Sequence, residues 1–103
     1  MPKNLRGYFA LIIIFDKSSY QSFSQVETIY KFYQESLCQF VIIVGFINVF
    51  EDVCFDEGRE LALALDAIYF EVGLDDKNQY QVIFELIARK CLNRLLSKDN
   101  LKS

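Results

Sequence analysis

The chain has 103 residues, 52% of them apolar, with fourteen acidic against eleven basic side chains and a net charge of −3. That length and composition describe one globular domain over residues 1–103, and the abundance of Phe, Ile and Leu excludes intrinsic disorder. Histidine is absent, which removes the commonest general base and metal ligand together.

The first stretch, Met1-Pro-Lys-Asn-Leu-Arg followed by the apolar run Tyr8 to Phe15, imitates a secretory leader. It lacks a small-residue cleavage site, because Asp16-Lys17-Ser18-Ser19-Tyr20 follows directly, so it reads as a core element. A second apolar run, Phe40 to Phe50, is interrupted only by Gly45 and Asn48. Spanning a bilayer takes about twenty residues, and neither run is long enough. Cys38, Cys54 and Cys91 are odd in number and form no C-x-x-C pair. They match neither a disulfide framework nor a zinc site, and read as small buried hydrophobes in a reducing cytoplasm.

Helical spacing is proposed for four segments. Asn4 to Asp16 is apolar nearly all round after Tyr8, and suits either a central helix or a strand. Phe23, Val26, Tyr30, Tyr33 and Leu37 follow at intervals of three and four, with Ser22 or Ser24 as N-cap. The same register continues through Phe40, Val44 and Ile47, placing Gly45, Asn48 and Asp52 on an opposite stripe, with a break near Cys38 or Gln39. Helix is favoured there, although the β-branched and aromatic content also suits a strand. The third segment follows Asp56 as N-cap, faces inward with Leu61, Leu65, Ile68, Tyr69 and Val72, and ends at Gly73, with Leu74 folding back. The fourth begins at Asp75 or Asp76 and runs to about Ser97. Its apolar face is Tyr80, Ile83, Phe84, Ile87, Cys91, Leu92 and Leu95, and basic residues fill its last turns. The expected fold is mostly α, a compact helical bundle. The alternative is α+β, with Tyr8–Phe15 and Phe40–Phe50 as buried strands.

Chemistry is sparse. No cysteine has a histidine partner, no serine sits in a G-x-S-x-G elbow, and glycines 7, 45, 58 and 73 are isolated rather than grouped into a phosphate loop. Asp75-Asp76-Lys77-Asn78 is not a calcium loop, because Lys77 stands at a ligand position and Tyr80 where the loop needs glycine. The adjacent acids Glu51-Asp52, Asp56-Glu57 and Asp75-Asp76 read first as caps and solvated charges, so no enzyme, metal or cofactor is expected.

Charge is distributed unevenly. Residues 51–76 hold nine acidic side chains against Arg59 alone, whereas residues 77–103 hold six basic against two acidic. An acidic patch of this kind accelerates association with a cationic partner and selects against wrong ones. The expectation is a small, acidic, non-catalytic binding protein that neutralises a basic protein. By size and charge it compares with bacterial toxin-immunity proteins, inhibitors of toxins such as nucleases. The candidate contact residues are Glu51, Asp52, Asp56, Glu57, Glu60, Asp75 and Asp76. Alternatives are a structural or homodimerising helical protein and a small carboxylate-dependent enzyme. The acidic total argues against nucleic acid as the partner.

Overall fold

The computed structural model describes residues 10–33, 40–48, 50–73 and 75–102. It is an α/β protein. Strand β1 (Ala10–Asp16) is followed by helices α1 (Tyr20–Ser24) and α2 (Val26–Tyr33). Then come β2 (Phe40–Ile47), α3 (Phe55–Ala64), β3 (Ile68–Gly73) and α4 (Lys77–Lys102). The strands form one parallel sheet in the order β1-β2-β3, with Ile12 opposite Ile42 and Ile42 opposite Ile68.

Two apolar clusters, one on each face of the sheet, make the core. On one side Ile13, Phe15 and Ile43 pack with Val26, Val53 and Ala62, so α1, α2 and α3 share that face. On the other, Ile42, Val44 and Val72 pack with Ile83, Leu86 and Ile87 of α4. The layers are therefore helix, sheet, helix, as parallel sheets require. Successive strand residues point to opposite faces. Ile42 and Ile43 are consequently both fully buried in the central strand.

This overturns the helical bundle. Within the two apolar runs, residues 10–15 and Phe40–Ile47 are strand, though Ile12 and Ile14 are exposed, and both lie in a parallel α/β sheet with a third strand that falls inside an expected helix. A strand covered on both faces needs no polar alternation, so Phe40–Ile47 reads as a continuous apolar run that mimics a buried helix. Gly45 belongs to no helical stripe. A Cβ there would stand 2.5 Å from Tyr69 Oη and 3.0 Å from Phe15 Cζ, so glycine makes room for the side chains crossing it.

Other boundaries move as well. Ser19, rather than Ser22 or Ser24, caps α1, its side chain accepting from the Ser22 N–H. Cys54, rather than Asp56, precedes α3. Gly73 ends a strand, not a helix. The fourth helix does begin after Asp76, whose Oδ1 accepts from the Gln79 N–H at 3.2 Å. Of its expected apolar face, Tyr80, Ile83 and Ile87 pack inward while Phe84, Cys91 and Leu92 are exposed. Asn4 to Phe9, Leu37, Cys38, Gln39, Leu74 and the Leu95 side chain lie outside the described residues. Cys54 and Cys91 are free thiols, exposed rather than buried.

The end of α3 explains the missed third strand. The Asp66 N–H donates to Leu63 O at 3.2 Å and the Ala67 N–H to Ala62 O at 2.8 Å. These are the two bonds of a Schellman terminator. Its left-handed residue is Asp66, at φ 56°, where glycine is usual. The chain then turns directly into Ile68. Replacing Asp66 with Gly relieves the left-handed backbone, and thermal unfolding should show a gain of about 1 kcal/mol.

Candidate functional site

A parallel sheet sends every strand-to-helix loop to the same end. Here the described part of that rim is residues 16–20, 48, 50–54 and 75–76, following β1, β2 and β3. Six of the seven acidic candidates belong to this end: Glu51, Asp52, Asp56, Glu57, Asp75 and Asp76. Glu60 lies more than a turn along α3, away from the rim.

At the centre is Lys17, immediately after β1 and only 3% exposed. Its ammonium bridges Glu51 from the β2–α3 loop and Glu71 of β3, the latter at 2.8 Å. Its backbone is equally committed. The Lys17 N–H donates to Phe46 O at 2.9 Å, and the Lys17 carbonyl accepts from the Asp52 and Val53 N–H groups at 2.8 and 2.9 Å. One residue thus ties together the ends of all three strands. Burial alone would lower the ammonium pKa, but hydrogen bonds and charge from Glu51 and Glu71 outweigh it and raise the value above 10.5.

Tyr69 extends this network. Its hydroxyl donates to Glu71 Oε2 at 2.7 Å. Its ring packs against Phe15 and Phe55 and lies so close to Gly58 that a Cβ there would collide with it. Burial, then the hydrogen bond and charge of Glu71, push the phenol pKa well up. On the outer side of the rim, Asp16 accepts from the Ser18 hydroxyl at 2.7 Å, the Ser18 N–H at 2.9 Å and Asn48 Nδ2 at 3.4 Å. The Ser18 hydroxyl and N–H are the main reason its carboxyl stays below the ordinary carboxylate range.

The candidate acids divide into two groups. Glu51 neutralises Lys17, Asp52 Oδ2 accepts from the Tyr20 N–H at 3.1 Å, and Glu57 Oε1 accepts from the Cys54 N–H at 3.2 Å. With Asp76 capping α4, these four hold loops in place. Asp56, Glu60 and Asp75 are exposed, and none of their carboxylates forms a hydrogen bond or ion pair with a described residue. Sequence reasoning missed Lys17, Asp16 and Glu71. Their signal was an Asp-Lys pair ending an apolar run, which carries meaning only once that run is read as a strand.

Hydroxyls at this end are occupied structurally. Ser22 Oγ accepts from the Asp16 N–H, and its one proton is shared between the carbonyls of Ser19 and Asp16. Among the described residues, no group of three or more His, Cys, Asp or Glu side chains could hold a metal ion, and no helix is long and apolar enough to cross a membrane. No family model matches the chain, and no curated protein matches it. The immunity-protein expectation was drawn from size and charge alone. No relative supports it, so that class is not carried forward.

Removing one partner of a buried ion pair strands the other, at a cost of about 3–5 kcal/mol. Glu51 is half exposed and can hydrate, so Lys17→Met should lose about 3 kcal/mol in urea unfolding, near the lower end of that range. The pH dependence follows from the two raised pKa values. A group that holds its proton more tightly when folded contributes in full below its unfolded pKa and loses that contribution as the pH climbs through the folded value. Lys17 and Tyr69 both act in this sense, so the melting temperature should fall above about pH 10. It should fall less steeply in Lys17→Met.

Proposed function

We propose that this protein is a non-catalytic binding domain whose acidic rim engages a basic protein. The observation that carries the reading is the parallel strand order, which gathers the loops after β1, β2 and β3 at one end. Six acids of residues 51–76 thereby share one rim, and Lys17, which lies among them, is paired internally with Glu51 and Glu71. Asp56 and Asp75 remain exposed and available to a partner. The rim's hydroxyls serve carboxylates and backbone carbonyls, which favours binding over nucleophilic chemistry.

The basic residues of α4 are a weaker candidate for a nucleic-acid surface. Lys90 lies 5.3 Å above the Phe40 ring and is engaged within the fold. Free thiols at Cys54 and Cys91 suit a reducing compartment such as the cytoplasm. Self-association draws on a different face, the open edge of β1.

The test is to identify a co-purifying basic protein from the native host and reconstitute the complex from purified components. Asp56→Lys combined with Asp75→Lys should slow association by about tenfold or more at low salt, with the difference shrinking as salt is added. An association rate insensitive to both the reversal and the salt would contradict the acidic-rim mechanism.

A further inference from the structure

The edge of β1 is built like an interior strand. Among the described residues it pairs on one side only, with β2. Peptide groups along a strand point alternately to its two sides. The Lys17 N–H donates to Phe46, so Leu11, Ile13 and Phe15 also face β2, while Ile12, Ile14 and Asp16 turn their N–H and C=O groups to the open edge. Ser22 Oγ satisfies both Asp16 groups, at 3.0 Å each. Ile12 and Ile14 are left as a bare hydrogen-bonding edge.

The side chains along this edge are apolar on both faces. Ile12 and Ile14 are 39% and 64% exposed. They floor a groove of about 240 Å³ whose far wall is Tyr80, Ile83 and Phe84 of α4. On the opposite face, Ile29 and Phe32 form an exposed apolar flank of α2, and a right-handed β1–α2–β2 crossover turns that flank outward past β1. Edge strands are ordinarily protected by charges, proline or a bulge. Ala10 to Phe15 contains neither charge nor proline and pairs with β2 in unbroken register.

We propose that a second copy of this chain docks here, the two β1 strands pairing antiparallel across a two-fold axis at Ile13 to form a six-stranded sheet. This register is self-complementary. Ile12 of each copy stands opposite Ile14 of the other, and each such pair exchanges two backbone hydrogen bonds. Isoleucine then meets isoleucine on the groove side, and the two α2 flanks meet on the other. Charge selects this orientation. Antiparallel pairing sends the two acidic rims to opposite ends of the joined sheet, whereas parallel pairing would place them side by side. Both rims stay open to a cationic partner, so the dimer and the binding proposal stand or fall separately.

Sedimentation of the full chain across micromolar to near-millimolar concentration tests the pairing. The expected species has about twice the 12.1 kDa chain mass. Ile14→Lys, placed where the side chain is already largely exposed, should weaken association at least tenfold with an unchanged far-ultraviolet circular dichroism spectrum. Asp56→Lys should leave association intact. Hydrogen exchange on the unaltered protein provides a second readout, since the Ile12 and Ile14 amides should slow as the dimer forms. A chain that stays monomeric throughout overturns the proposal. So does a dimer that a folded Ile14→Lys leaves intact, or one in which those two amides exchange as fast as in the monomer.

Discussion

A single buried ammonium governs the carboxyl end of this sheet. Lys17 lies where β1 ends, and two carboxylates reach it from elements far away in sequence. Bringing a lysine out of water costs several kcal/mol, and mutual attraction recovers that only when geometry and hydrogen bonding are good. Here the lysine also carries three backbone hydrogen bonds, to Phe46, Asp52 and Val53. Its value is therefore as much positional as energetic. It holds the β2–α3 loop against β1 and so sets where α3 begins.

What surrounds Lys17 follows from that placement. Glu71 receives both the ammonium and the Tyr69 hydroxyl. Tyr69 in turn needs Gly45 and Gly58 to lie where they do. One ammonium against two carboxylates leaves this inner network negative, and the remaining rim acids add to that charge. Rim and edge differ in chemistry. One is acidic, the other apolar with peptide groups that no described residue pairs. The β1 run Leu-Ile-Ile-Ile-Phe has the composition of a strand buried on both faces, yet it occupies an edge.

The start of the last helix and the gathering of charge into residues 51–76 were legible in the sequence. The fold class was not, for two physical reasons. Continuous apolar runs have no period with which to separate strand from helix, and in Phe40–Phe50 the spacing of Gly45 and Asn48 imitates a helical stripe although Phe40–Ile47 is strand. Gly45 is small because Tyr69 crosses it, a tertiary fact with no local signature. The second reason is Asp66, which ends α3 in a conformation normally advertised by glycine, so β3 was absorbed into a continuous helix. Among the site residues, the exposed acids could be named from charge alone. Lys17 could not, because its importance comes from partners 34 and 54 positions away.

Lys17 and Glu71 act as one unit rather than as two independently useful side chains. A double-mutant cycle of Lys17→Met, Glu71→Gln and the combined variant, read by urea unfolding, measures this coupling directly. The predicted coupling is at least about 1 kcal/mol, because Lys17→Met leaves Glu71 without its ammonium and Glu71→Gln leaves Lys17 with Glu51 alone. Additive losses would mean that the pair does not organise the rim, and would contradict the account.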